Sequence, residues 1–248
     1  LAKRSSVALK DEVLDLPATT DVRVPVHLSP AEAAEYKRIK DALKKARKEG
    51  KLPPAGLNRL TQILKLRQIA SGFTTDAAGQ IVPLGDSRVK VIKSLVHDSL
   101  AGEKRVVIFA FFTEEIQRLT KALQQPGTTV EVVTGETSQE ARSAIRKRFG
   151  SDSPDRIVLI AQSGTLALSV NELVTASHAI FASLTLQRSD FIQSRDRLDR
   201  TGQTKPVTFW NVVGVGTLDE SILHSHRAKT DLEEAMLQHI LDTASDEG

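Results

Sequence analysis

From residue 88 onward, the chain alternates between short apolar runs and stretches whose apolar residues recur at helical spacing. The runs are rich in β-branched and aromatic residues, which is typical of strands buried on both faces. This alternation predicts an α/β fold in which helices flank a parallel sheet. The predicted strands are residues 106–112, 130–133, 157–161, 179–181 and 207–213.

The residues before this region predict helices instead. Ser29, Pro30 and Glu32 form a capping-box start, in which the hydroxyl caps the helix and the carboxylate reaches back. This helix should end near Glu49, because a glycine and two prolines follow soon after. A second helix is predicted over Leu57–Ala70. Together they predict a helical appendage in front of the sheet.

These patterns divide the chain into four parts. A stretch rich in Gly, Pro and Asp at residues 74–87 predicts a linker or mobile loop. Thr217 and Glu220 open a final helix with another capping box. Because the chain starts at Leu1 and its only methionine is Met236, we expect a longer protein. The parts are a linker segment, a helical appendage with its loop, the α/β lobe and a bracing helix, at residues 1–28, 29–87, 88–216 and 217–248.

Composition narrows the class of protein. With 248 residues, 40% hydrophobic and 26% charged, the chain has the size and balance of a globular enzyme domain. The absence of cysteine excludes disulfides, thiolate zinc sites and cysteine nucleophiles. The histidine spacing fits no metal site, so we expect no metal here. Without a membrane-spanning run or a secretory leader, we expect no membrane partner and a location in the cytoplasm, nucleus or nucleoid.

Positive charge is concentrated on two predicted helices, although the net charge is only +3. The first cluster, residues 37–51, contains Lys44 and Lys45, and the second, residues 142–148, begins at Arg142. Such stripes can follow a phosphate backbone, which predicts a nucleic-acid partner. The alternative is that both are ordinary solvated helix faces.

The stretch from Gln193 to Gln203 carries the clearest chemistry. Gln193, Arg197 and Arg200 are spaced to share one helix face just before a glycine. Paired guanidinium groups match phosphate oxygens and stabilise charge that develops during phosphoryl transfer, so we interpret this stretch as half of an ATP site. The alternative is a solvated helix with its own ion pairs, Arg195 with Asp199 and Asp196 with Arg200.

Polar loops follow two of the predicted strands. Thr134 and Gly135 come before a helix start in which Thr137 and Glu140 are spaced as a capping box, and Ser163 follows the next strand. Reactive groups of open parallel sheets lie at the carboxyl ends of strands, and helix N-termini bind phosphate. These loops are candidate phosphate contacts, although routine strand-to-helix turns have the same pattern.

The order of these and other blocks resembles the second RecA-like lobe of superfamily 2 helicases, and more closely that of Swi/Snf-type ATP-dependent DNA translocases. The resemblance covers nearly the whole chain, and its last two blocks are the most specific. The blocks are Glu12-Val-Leu-Asp-Leu16-Pro17, the run from Val24 to Tyr36 with its Leu-Ser-Pro-x-Glu core, Leu66-Arg-Gln-Ile-Ala-Ser-Gly72, Ser87-Arg-Val-Lys90, Val107-Ile-Phe-Ala110, Thr134-Gly135 with Arg142, Gln193 to Gln203, and Gly216-Thr-Leu-Asp-Glu220.

The resemblance implies that the full-length protein is an ATP hydrolase that translocates on double-stranded DNA. Arg197 and Arg200 would be arginine fingers that contact ATP, and Gln193 would help to position them or the nucleotide. ATP and Mg²⁺ would be held mainly by a first RecA-like lobe in the same protein. Residues expected near the nucleotide are Gly164, Asn171, Gly202 and Gln203. Residues expected near the nucleic acid, from the resemblance or from charge, are Thr134, Gly135, Ser163, Arg142, Lys44 and Lys45.

Two departures and one absence qualify these expectations. Residues 164–173 replace a Gly-rich block of the family, and residues 183–187 replace acidic residues and a tryptophan. No Gly-x-x-x-x-Gly-Lys-Ser/Thr occurs, so the chain alone should be inactive. We also expect the protein to be a monomer. A strand-separating DNA or RNA helicase lobe, or a degenerate lobe that binds proteins, remain alternatives.

Overall fold

The computed structural model describes residues 16–49, 57–164 and 171–242. Its strands are β1 (Thr19–Val26), β2 (Phe73–Thr75), β3 (Ile81–Pro83), β4 (Arg105–Ala110), β5 (Thr128–Val133), β6 (Arg156–Gln162), β7 (His178–Phe181) and β8 (Val207–Gly214). Six of these strands form one parallel sheet, in which β1 and β5 are the edge strands and the order is β1-β8-β7-β4-β6-β5. All five predicted strands are present, and the predicted α/β fold is confirmed.

Helices cover both faces of this sheet. They are α1 (Pro30–Lys48), α2 (Leu57–Ala70), α3 (Ser87–Ser94), α4 (Thr113–Leu123), α5 (Gln139–Gly150), α6 (Arg188–Asp196), α7 (Leu218–Ala228) and α8 (Leu232–Asp242). One face is packed around Phe109 and Phe181, and the other around Ile108 and Ile180. Neighbouring residues of a strand point to opposite faces, so a central strand such as β4 is apolar on both faces, from Val106 to Ala110.

The edge strand β1 was not predicted as part of the sheet. It pairs in parallel with β8, from Thr19 opposite Val207 to Val26 opposite Gly214. Pro25 is tolerated because an edge strand has one side without ladder hydrogen bonds. The segment predicted as a linker at residues 1–28 therefore contributes a strand to the lobe.

The residues predicted as a linker or mobile loop contact two side chains from distant helices. Residues 74–87 contain most of the antiparallel pair formed by β2 and β3, and end at the start of α3. Arg118 donates to Asp86 Oδ1 at 2.6 Å, and also to the carbonyl oxygen of Gly85. Glu32, only 1% exposed, accepts from the hydroxyl of Ser87 at 2.6 Å. Because these contacts come from distant helices, the local sequence could not predict them.

The predicted capping box at the start of α1 is confirmed. The backbone N–H of Ser29 donates to Glu32 Oε2 at 2.7 Å, and α1 runs to Lys48. The final helix differs from prediction, since Lys229 takes a left-handed conformation (φ 57°) and separates α7 from α8. Thr217 caps α7, but Glu220 pairs with Arg23 of β1 and does not complete a capping box.

A buried ion pair joins the helical appendage to the sheet. Arg88, at the start of α3, is fully buried against Asp219 at the start of α7. It donates to the carbonyl oxygens of Ala70 at 2.9 Å and Val212 at 3.1 Å, and also to that of Ala182. One guanidinium group thus fastens α2, β7, β8 and α7 together.

Candidate functional site

The two predicted arginine fingers lie on a turn and not on a helix face. Helix α6 ends at Asp196, and the backbone N–H groups of Leu198 and Asp199 both donate to the carbonyl oxygen of Arg195 at 3.0 Å. Leu198 is completely buried, which draws the chain out of its helical path. The prediction that Gln193 shares one helix face with both arginines is therefore wrong. We call residues 197–203 the arginine turn.

The two arginines of this turn influence each other. Burial lowers the pKa of Arg197, and the positive charge of Arg200 lowers it further. Within the part of the chain that the structure describes, the side chain of Arg200 has no hydrogen bond or ion pair. Gln193 is exposed on α6, one helical turn before Arg197. Two cations held together at a partly exposed position are suited to an anion that carries several charged oxygens.

Gln203 fixes the end of the arginine turn. Its amide nitrogen donates to the carbonyl oxygens of Ala176 at 3.0 Å and Leu198 at 3.3 Å. Its amide oxygen accepts from the backbone N–H groups of Thr204 and Lys205, both at 3.0 Å. The side chain is 6% exposed and its hydrogen bonds all go to the protein backbone. A contact with nucleotide through this residue stays a prediction, whereas its support of the turn is evident.

The residues predicted near the nucleotide fall at opposite ends of α6. Gly164, with φ 78°, lies against Asp190, whose Oδ2 would be 3.2 Å from an added Cβ. Gly202 lies next to Val174 in the 3-10 helix Asn171–Thr175. Seven residues separate Asp190 from Arg197, or about 10 Å along a helix. The side chain of Asn171 and residues 165–170 lie outside the described part.

The loops predicted to contact nucleic acid lie together at the carboxyl edge of the sheet. Thr134 and Gly135 follow β5, and Ser163 follows β6 beside them. The Gln162 side chain bridges the loops, accepting from Gly135 N at 3.3 Å and donating to the Phe111 carbonyl oxygen at 3.4 Å. Gln162 lies at the end of a buried strand and begins the loop predicted to approach a phosphate or a nucleotide.

Arg142 supports one of these loops from below. Its Nη2 donates to the carbonyl oxygens of Thr134 and Gly135, both at 3.0 Å. Helix α5 is capped by Ser138, while Thr137 Oγ1 accepts from Thr134 N at 2.9 Å, so the predicted capping box at Thr137 is wrong by one residue. Arg142 therefore shapes the loop, and its own contact with nucleic acid stays a prediction.

The departure at residues 183–187 has a structural role. Ser183 accepts from the backbone N–H of Phe111 at 2.8 Å and donates to Glu115 at 2.6 Å. Burial raises the pKa of Glu115. Arg67 lies over the Phe111 ring at 4.3 Å, and burial lowers its pKa to about 10. These contacts lock the loops after β4 and β7 against each other.

The basic side chains of α1 do not all face the same way. Lys44 lines a cleft of about 390 Å³ with Lys37 and Lys40, beside Val215 at the carboxyl end of β8. Lys45 is exposed, with its Nζ 4.0 Å from a carboxylate oxygen of Glu49. The cleft presents positive charge at the same edge of the sheet as the polar loops, on the β1 side.

Arg195 was placed by sequence on the helix surface with Asp199, but its guanidinium lies against Asp21 of β1 at 2.6 Å. It also stacks over the Phe209 ring at 3.9 Å. Because 174 residues separate Arg195 from Asp21, no local pattern reveals this pair.

The described ranges contain neither a metal-binding cluster nor a membrane-spanning helix. No group of three His, Asp or Glu residues there could hold a metal ion. No helix there is both long and apolar enough to cross a membrane.

Part of the chain is similar to known helicases. Residues 87–202 match the family model of the helicase conserved C-terminal domain. The helicase swr1 of Aspergillus fumigatus is 30% identical over 152 residues, which are 61% of this chain and 9% of that protein. An uncharacterized ATP-dependent helicase, MG018 of Mycoplasma genitalium, is 25% identical over 225 residues, 90% of this chain and 21% of that protein. The chain thus spans only a small part of these relatives.

Solved structures show the same fold. The C-terminal part of the Fun30 ATPase domain matches with a TM-score of 0.66 and 16% identity, over 90% of this chain and 96% of that one. The Sulfolobus solfataricus SWI2/SNF2 ATPase core in complex with dsDNA gives a TM-score of 0.69 and 21% identity, over 94% of this chain and 50% of that one. Residues 87–202 are therefore similar to the helicase conserved C-terminal domain, the relatives that the chain matches include Swr1- and SWI/SNF-type helicases, and the fold is that of the C-terminal part of SWI2/SNF2 ATPases.

Proposed function

We propose that this chain is the second motor lobe of an ATP-dependent DNA translocase, and that it supplies Arg197 and Arg200 to ATP bound by a first lobe. The observation that carries the proposal is the arginine turn, where two guanidinium groups lie close enough for one to lower the pKa of the other. Arg200 has no charged partner within the described residues. A polyphosphate placed against the turn would remove the repulsion between them.

The chemistry of the site follows from this arrangement. Bound ATP supplies a γ-phosphoryl group for transfer to water, and negative charge on its oxygens is redistributed in the transition state. Arg197 and Arg200 would donate hydrogen bonds to those oxygens, while Gln193 would orient the two arginine side chains from the preceding helical turn. ATP and Mg²⁺ would be held mainly by the first lobe in the same protein, because this chain has no P-loop.

Double-stranded DNA is the proposed track. Thr134, Gly135 and Ser163 offer backbone and hydroxyl groups at one end of the carboxyl edge, and Lys44 offers charge at the other. Five strand spacings separate β5 from β1, about 24 Å in all, so the two surfaces would contact different phosphates of one duplex. The dsDNA complex of a protein with the same fold supports this proposal. A nuclear or nucleoid location follows from it.

The test compares ATP hydrolysis by the full-length protein with hydrolysis by this chain, with and without duplex DNA. We expect duplex DNA to stimulate the full-length protein and the isolated chain to be inactive. Displacement of a third strand from a triplex, without separation of the duplex strands, would identify translocation. A full-length protein without DNA-stimulated turnover would contradict the proposal and favour a protein-binding module.

A further inference from the structure

The side chain of Arg195 joins the last turn of α6 to the edge strand β1. Its two terminal nitrogens donate to the two carboxylate oxygens of Asp21, at 2.6 and 2.9 Å. The amide of Asn211, on β8, donates to the same carboxylate at 3.1 Å. The Arg195 guanidinium also stacks on Phe209 at 3.9 Å, so one of its faces is shielded from water. The pair is therefore held in a defined geometry.

The backbone of Arg195 carries the arginine turn. Its carbonyl oxygen accepts from both Leu198 N and Asp199 N at 3.0 Å. The chain after the arginine turn is attached next to the same strand, because Val207 N donates to the carbonyl oxygen of Ala18, the residue before β1, at 3.1 Å. The segment between Arg195 and Val207 is thus attached at both ends to β1 or to the residue before it.

The charges around Asp21 favour the paired state. Burial raises the pKa of this carboxyl, but the hydrogen bond and charge of Arg195 outweigh it, with smaller contributions from Asn211 and Arg227. The net effect is a pKa below the ordinary value of an aspartate, so Asp21 is ionised at neutral pH. Arg227 of α7 lies 3.9 Å away and adds a second positive charge.

We propose that Arg195 and Asp21 form a clamp that positions the arginine turn on β1, which makes Arg195 a positioning residue for the reaction. The inference rests on the proposed function. Strand β1 lies within residues 1–28, the segment predicted as a linker. A clamp between this strand and the arginine turn fixes Arg197 and Arg200 relative to that segment and to the edge of the sheet.

The physical part of the clamp is tested on this chain without nucleotide. Asp21→Asn keeps the shape of the side chain but removes its charge, and hydrogen exchange by NMR reports the amides of Leu198 and Asp199. We expect these amides to exchange about fivefold to tenfold faster, while amides of β4 are unchanged. The matched control is Arg23→Gln, on the same strand, which breaks an ion pair with Glu220 of α7. If the amides of Leu198 and Asp199 exchanged at the same rate in Asp21→Asn and in Arg23→Gln, the clamp would be overturned.

The functional part is tested in the full-length protein. Asp21→Asn should lower kcat about fivefold with DNA affinity unchanged in the absence of nucleotide, and Arg195→Lys should do the same. In an Arg200→Lys background, Asp21→Asn should have no further effect on kcat, because both act through the arginine turn. An Arg200→Lys loss without an Asp21→Asn loss overturns the clamp and leaves the proposed function standing. Unchanged turnover in Arg200→Lys overturns the proposed function, and the exchange experiment still decides the clamp.

Discussion

Replacing Asp219 with asparagine should destabilise the chain by about 3–5 kcal/mol, because it removes the directly paired carboxylate of a guanidinium buried in the core. The side chain of Arg88 is 1% exposed and that of Asp219 is 5% exposed, so water cannot replace the lost charge. The other partners of Arg88 are the carbonyl oxygens of Ala70, Ala182 and Val212, which accept hydrogen bonds but carry no net charge. The loss is therefore that of a broken buried pair.

The assay is unfolding of the chain by urea and by heat, monitored by circular dichroism. A loss of 3–5 kcal/mol corresponds to a fall in Tm of about 6–20 °C for a domain of this size. The matched control is Glu220→Gln at the next residue, where the ion pair with Arg23 is exposed and should contribute at most about 1 kcal/mol. Equal losses for the two variants, or a loss below about 1 kcal/mol for Asp219→Asn, would refute the argument.

Two further predictions concern charge. Lys44→Glu should reduce the slope of log Kd for duplex DNA against log salt by about one unit, while Lys104→Glu, at the amino end of β4, should not. An unchanged slope would make the α1 cleft an ordinary solvated surface. Burial, with a smaller contribution from Lys40, lowers the pKa of His239 from 6.5 to about 4, so the unfolded chain binds a proton between these values that the folded chain does not. Stability should fall as pH drops through this window, and His239→Gln should lessen the fall; an identical fall in both proteins would contradict the assigned shift.

The central elements of the fold could be predicted because their physical signal is local. A strand buried on both faces is a run of apolar residues, as β4 is from Val106 to Ala110, and a capping box such as Ser29 with Glu32 lies within four residues. The edge strand β1 could not, because it has one exposed side, contains Pro25 and has a partner far along the chain. Its valines alternate with other residues, but nothing local shows which strand it pairs with.

The candidate site was predicted in its residue types but not in its geometry. Helical spacing placed Arg197 and Arg200 on one helix face, whereas burial of Leu198 and Gln203 turns the chain away after Asp196. Tertiary contacts outweigh a local preference of a few tenths of a kcal/mol. For the same reason, the predicted surface pair of Arg195 with Asp199 missed its ion pair with Asp21, which packs α6 against β1.

The most direct test of the account is the turnover of the full-length protein with Arg200 replaced by lysine. Lysine keeps the charge but loses the planar fork, so kcat for DNA-stimulated ATP hydrolysis should fall by at least about a hundredfold. DNA binding without nucleotide should survive, because the proposed phosphate contacts lie elsewhere. Arg23→Lys, an exposed arginine on β1, is the control and should leave kcat nearly unchanged. If Arg200→Lys kept its kcat, or lost kcat only in proportion to its folded fraction, the arginine turn would be structural and the central claim wrong.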